Sequence, residues 1–154
     1  MKKIYFFIFS LLFSFSSLYA GEKYFFRVER VIDGDTIELE TGEHVRYIGI
    51  DTPETRQHKG DRWIYKPQPF AEEAKMLNQK LVEHQQVQLE FDVQPKDRYG
   101  RLLAYVYVGD HFVNLELVQS GLARLMTIPP NVKYAHQFRD TLQKAKEKKQ
   151  GMWE

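Results

Sequence analysis

The chain has 154 residues, with 22 Lys and Arg against 21 Asp and Glu, and a net charge of +1. That length accommodates one domain with its own core, and the near balance of charge means that any polyanion must be met by a local patch. Cysteine is absent, which excludes disulfides, thiol catalysis and cysteine-ligated zinc.

The chain starts with Lys2 and Lys3, an apolar run over 4–15 broken only by Ser10 and Ser14, and small or polar residues leading to Ala20. Basic, apolar and small segments in that order predict an export signal over 1–20, cleaved after Ala20; an uncleaved anchor over 4–20 is the rival. Lys2 and Lys3 leave with the signal, taking the net charge from +1 to −1. Residues 21–154 are then expected to form one exported domain, periplasmic or secreted, monomeric and without stable membrane association.

Residues 25–32, rich in aromatic and β-branched side chains, predict a strand stopped by Asp33-Gly34. Residues 36–40 alternate, Thr41-Gly42 turns the chain, and 44–50 form a third run, so the three read as an antiparallel meander. The segment 51–69 is polar, charged and marked by three prolines, and predicts a long loop. From Phe70 the apolar positions Ala74, Leu77 and Leu81 recur at helical spacing. Val87, Leu89 and Phe91 alternate again, 95–100 is turn chemistry, 102–108 is strand-like, and Gly109-Asp110 closes a hairpin. Asn114 is positioned to cap a short helix carrying Leu115, Val118 and Leu122. After Pro129-Pro130, Tyr134, Phe138, Leu142 and Ala145 define a last helix. The order predicts an α+β protein: a five-stranded OB-fold β-barrel with three α-helices. Fold alone leaves the ligand open.

Three stretches concentrate chemically useful residues: Asp33-Gly34-Asp35-Thr36, Arg46 through Asp51-Thr52-Pro53-Glu54, and Asp97-Arg98-Tyr99-Gly100-Arg101. Each alone is readable as a turn. Together they supply what phosphodiester hydrolysis needs, namely neutralised charge, an activated water and stabilised oxyanions. Asp35 and Asp51 follow the first and third runs and could converge on one hard cation such as calcium, which takes ~6–8 oxygen ligands. Glu54 is placed to act on a nearby water as general base. Arg46 and Arg101 are permanently charged forks suited to phosphate oxygens. Arg46 alternates in register with Ile48 and Ile50, on the face expected to be buried, so it needs a partner there.

These blocks, with Leu103-Ala104-Tyr105 and Gly121-Leu122-Ala123, resemble the staphylococcal nuclease (thermonuclease) family in order and spacing over nearly all of 24–153. The resemblance implies that Asp35, Asp51 and the Thr52 carbonyl bind Ca2+, with Asp33 supporting the metal site from behind. It implies that Glu54 activates or positions the water. Arg46 and Arg101 would bind the phosphate, Arg101 nearest the leaving oxygen. Tyr99 would contact a nucleotide phosphate, with Arg98 as a second substrate-binding residue. Family members cut DNA and RNA and leave 3′-phosphate ends. Two departures stand out. Where the best-known member has two tyrosines after the Gly-Leu-Ala block, this chain has Met126-Thr127-Ile128-Pro129. The 55–69 loop is longer than usual and carries Arg56, Lys59, Arg62 and Lys66 against Asp61 alone, with Trp63 and Tyr65 between them. That composition suits single-strand binding, or a surface loop whose aromatics fold back on the barrel.

His44, His58, His84, His111 and His136 lack the pairing of zinc sites and read as surface or cap residues. Two other readings are a catalytically silent OB module that binds nucleic acid, and an exported OB-fold for oligosaccharide or protein. The first should have lost part of the set Arg46, Glu54, Arg101 or a metal carboxylate, and the second would not need it.

Overall fold

Ten strands and three α-helices follow one another in the computed structural model, which describes residues 24–154: β1 (Tyr24–Asp33), β2 (Thr36–Leu39), β3 (His44–Tyr47), β4 (Gly49–Asp51), β5 (Arg56–Lys59), β6 (Arg62–Tyr65), α1 (Ala71–Val82), β7 (Gln86–Glu90), β8 (Leu102–Val108), β9 (His111–Phe112), α2 (Val113–Gln119), β10 (Arg124–Met126) and α3 (Ala135–Glu147). The expected export signal over 1–20 lies outside the described residues. Among those described, no helix is long and apolar enough to cross a membrane.

The sheet runs β3-β2-β1-β7-β8, and a parallel pairing of β3 with β8, Val45 opposite Leu102, closes it into a five-stranded barrel. Closure works because β1 is long and bent. Its first residues pair with β7 and its last with β2, with register shifts between Val28 and Arg30 and between Val31 and Asp33 that curl the strand. Alternation fills the interior: Val28, Ile37, Leu39, Val45, Tyr47, Val87, Leu89, Ala104 and Val106 are all buried. The α+β five-stranded barrel with three helices is the architecture expected from the sequence.

Four local expectations are corrected. The run 44–50 breaks into β3 and β4 at Gly49, whose φ is +83°. A Cβ there would lie 2.4 Å from the Phe138 ring of α3, so only glycine fits. Phe138 is itself 1% exposed, and its truncation to alanine is expected to cost about 3–5 kcal/mol. The supposed loop 51–69 contains the β5–β6 hairpin. Asn114 does not cap α2, since Phe112 occupies that position. Its buried amide instead accepts from Val106 N at 3.0 Å and donates to Ile48 O at 3.0 Å, tying α2 to the barrel. Finally, the buried stripe of α1 is Ala71, Ala74, Asn78 and Val82, with Leu77 and Leu81 only partly buried beside it.

Candidate active site

The ends of β1, β3 and β4 meet beside α1, and the side chains they carry there are polar. Asp35 sits in the turn between β1 and β2, 2% exposed. Its backbone carbonyl accepts from Tyr47 N at 3.0 Å. Its Oδ2 accepts from Thr52 N at 2.7 Å, and its Oδ1 accepts from Thr36 Oγ1 at 3.1 Å. The turn can lie this close to the Thr52 loop and α1 because residue 34 is glycine; a Cβ on Gly34 would lie 2.6 Å from Thr52 Oγ1 and 2.8 Å from Ala74 Cβ.

Arg46, in the middle of β3, pairs through its backbone with Thr36 of β2 and Leu103 of β8. The break at Gly49 ends the alternation that put it on the Ile48 and Ile50 face; Val45 and Tyr47 are the core residues of β3. The Arg46 side chain is only 12% exposed, and its fork spans two carboxylates, Nη1 lying 2.5 Å from Asp35 Oδ2 and Nη2 donating to Asp51 Oδ1 at 2.8 Å. Burial pushes the Asp35 carboxyl up, opposed by Arg46 and the Thr52 amide and reinforced by Asp51.

Asp33 lies just behind. Its Oδ1 accepts from Gly34 N at 3.0 Å, its Oδ2 from Thr55 N at 3.3 Å, and its carbonyl accepts from Asn78 Nδ2 at 3.2 Å. Asn78 Oδ1 in turn accepts from Tyr47 OH at 2.8 Å. Glu54 is open to solvent as a residue, yet its carboxyl turns toward this cluster. Partial withdrawal from water and the neighbouring Asp33 and Asp35 carboxylates push it up to about 8, against the pull of Arg46.

Arg101 lines the same cleft as Arg46. The Asp97 carboxylate organises its turn, Oδ1 accepting from Tyr99 N at 2.9 Å and Arg101 N at 3.0 Å, while Oδ2 accepts from Arg101 Nε at 2.7 Å. The Arg101 Nη groups make no hydrogen bond among the described residues. The Arg98 guanidinium lies 4.7 Å from the Tyr99 ring centroid, and its Nη2 donates to Tyr99 OH at 2.5 Å. Arg46, Arg98, Tyr99 and Arg101 line one cleft of about 570 Å³, whose far side is Met126, Ile128 and Pro129, the segment where tyrosines were missed.

The structure thus brings Asp35, Arg46 and Asp51 into direct contact, with Thr52, Asp33 and Glu54 around them. Arg101, Arg98 and Tyr99 line the same cleft as Arg46. Four carboxylates, those of Asp33, Asp35, Asp51 and Glu54, act on one another around a single guanidinium. That excess of negative charge, with an all-oxygen donor set, fits a hard divalent cation. Among the described residues no three acidic or imidazole side chains are arranged to enclose a metal by themselves. A cation between Asp35 and Asp51 would therefore fill its shell from the main chain, water and substrate. Thr52 Oγ1, buried without a hydrogen-bond partner, shows that an oxygen here still has capacity.

Three supporting residues escaped the sequence reading. Asp97 was quoted only as turn chemistry. Asn78 had a signal: it falls in the 71, 74, 78, 82 stripe, where a polar residue must have buried partners. Gln68, whose backbone and side chain both bond Glu54, had none.

A sequence profile described as staphylococcal nuclease homologue matches residues 44–154. A thermonuclease of Staphylococcus intermedius is 43% identical over 141 residues, covering 87% of this chain and 77% of the relative. A thermonuclease of Staphylococcus hyicus is 39% identical over 135 residues, covering 83% and 75%. Endonuclease YncB of Bacillus subtilis is 44% identical over 131 residues, covering 82% of this chain and 60% of the relative. With a matched profile over most of its length and relatives of this similarity, the chain belongs to the staphylococcal nuclease homologue family.

Proposed function

We propose that the protein is a calcium-dependent nuclease, acting outside the cytoplasm on DNA and RNA and leaving 3′-phosphate ends. That it is a phosphodiester-hydrolysing nuclease follows from its family. The observation carrying the finer reading is the Arg46 fork held between Asp35 and Asp51, with the Glu54 carboxyl close enough to feel Arg46 and with Arg101 lining the same cleft as Arg46.

Each side chain has a task that its surroundings suit. Asp35, Asp51 and the Thr52 carbonyl would hold the cation. A divalent ion bound there would supply positive charge for a phosphate oxygen and favour an ionised Glu54. Glu54 takes the proton of the water that attacks phosphorus. The bond from that water oxygen to phosphorus forms as the bond from phosphorus to the 5′ oxygen breaks, and the 5′ oxygen gains a proton as it departs. Arg46 and Arg101 donate to the oxygens on which charge accumulates, Arg101 on the leaving side. Tyr99 and Arg98 hold a flanking phosphate. Asp33 acts indirectly, fixing the Thr55 amide and raising the Glu54 carboxyl.

Export is supported by the basic, apolar and small order of residues 1–20, with 21–154 as the exported domain. The end groups test the proposed bond choice. Mass spectrometry of fragments from a defined oligonucleotide cut in calcium should find 3′-phosphate and 5′-hydroxyl termini. Fragments with 5′-phosphates would refute the assigned leaving group.

A further inference from the structure

The β5–β6 hairpin has no role in the chemistry described so far, and its two faces differ. Opposed residues in an antiparallel pair project to one side. The pairs Arg56–Tyr65 and His58–Trp63 therefore share one face, and Gln57–Ile64 and Lys59–Arg62 share the other. On that second face Gln57 and Ile64 are half-buried, while Lys59 and Arg62 at the tip are exposed. All four residues of the first face are exposed, Trp63 at 61% and Tyr65 at 68%. The aromatics have not folded back onto the barrel.

The rings are nonetheless held in place. His58 packs against Trp63 with ring centroids 3.7 Å apart, covering part of the indole. Tyr65 OH donates to Glu72 Oε1 of α1 at 2.6 Å. Two positions along a strand separate the rings by roughly 6.6 Å, close to twice the thickness of a base. Arg56, Lys59, Arg62 and Lys66 form no ion pair among the described residues. The root of the hairpin is fastened beside the general base: Lys66 N donates to Thr55 O at 3.1 Å and Gln68 N to Glu54 O at 3.0 Å.

Exposed rings on one face, cations without partners and a root at Glu54 lead us to propose that the hairpin is a binding site for single-stranded nucleic acid outside the catalytic cleft. Trp63 and Tyr65 stack on unpaired bases, and the basic side chains track the backbone. Stacking on a flat ring is tolerant of sequence and needs bases free of a duplex, so the site selects unpaired strands. It deepens the nuclease reading and rests on it, placing substrate on both sides of Glu54.

The test compares the unsubstituted protein with Trp63→Ala/Tyr65→Ala and with Trp63→Phe/Tyr65→Phe. Binding of a fluorescent 20-nucleotide oligothymidylate is followed by anisotropy in chelator, and cleavage of that strand and of a thymidine dinucleotide is followed in calcium. The dinucleotide is too short to reach along a hairpin arm of roughly 13 Å. The alanine pair should bind the long strand at least tenfold more weakly and raise its KM to match. Its kcat and its dinucleotide cleavage should stay within twofold, and the phenylalanine pair should restore most of the binding. Binding within twofold of the unsubstituted protein, or equal losses in both pairs, would overturn the stacking site while leaving the nuclease reading intact. Loss of dinucleotide cleavage in the alanine pair would also overturn it, because the hairpin would then act through Glu54. An unsubstituted protein that cuts neither substrate would overturn the nuclease reading, and this substrate site with it.

Discussion

Gln68 holds the peptide of Glu54 from both sides: Glu54 N donates to Gln68 Oε1 and Gln68 N donates to Glu54 O, each at 3.0 Å. The residue proposed as general base therefore rests on a two-point clamp at the root of the hairpin. Gln68→Ala removes the side-chain half of it, a neutral hydrogen bond of about 1 kcal/mol. A base that wanders costs rate more than affinity. The expected outcome is a kcat about tenfold lower with KM and thermal midpoint nearly unchanged, read by steady-state kinetics and a melt.

The two arginines should not tolerate lysine. A lysine at 46 places a point charge where the fork now reaches both Asp35 and Asp51, and at 101 it cannot keep Nε on Asp97 while offering two further groups to substrate. Each change should cost on the order of 3 kcal/mol in the barrier to cleavage. Two fully active lysine variants would exclude the phosphate clamp.

Salt dependence reports on the hairpin cations. Replacing Arg56, Lys59, Arg62 and Lys66 with glutamine should weaken binding of long strands and make the slope of log affinity against log salt shallower by up to about 3, from a coefficient of ~0.7 per contact for single strands. An unaltered slope would mean that these four side chains do not touch the backbone of the substrate.

Asp97 links the Arg101 turn to pH. Partial burial raises its carboxyl, but the hydrogen bonds from Arg101 and Tyr99 and the charge of Arg101 outweigh this and hold it below its usual 3.8. A depressed folded pKa adds stability that is present above the unfolded value and is lost as pH falls through the lower, folded one. Melts of the wild type should therefore show an acid decline that Asp97→Asn flattens, while that variant is less stable near neutrality. Identical acid limbs would show that the turn does not depend on the carboxylate.

Much of this arrangement was legible in the chain itself. Strand alternation and short turns gave the barrel, and Asp35, Asp51 and Glu54 were visible because acidic residues crowd the ends of strands. What escaped depends on distant partners. The run 44–50 reads as one strand until the Phe138 ring, from the far end of the chain, occupies the space over Gly49. Arg46 was expected to wait for a phosphate, whereas here it bridges the carboxylates themselves. The β5–β6 hairpin lacks apolar alternation and is flanked by prolines, so its one local sign was the two-residue turn Gly60-Asp61, with Gly60 at φ +60°. Asn114 resembled a cap because its type favours caps, yet the barrel claimed its amide.

The central claim is that Asp35, Arg46, Asp51, Glu54 and Arg101 form one hydrolytic centre working with a divalent cation. It is tested most directly by timing cleavage of single-stranded DNA and of RNA with calcium and with chelator, using the unsubstituted protein and Glu54→Gln. The account predicts cleavage only with calcium, and a loss of about 100-fold or more in Glu54→Gln while calcium still raises the thermal midpoint of both proteins. Equal cleavage in chelator, or a Glu54→Gln protein as fast as its parent, would contradict it.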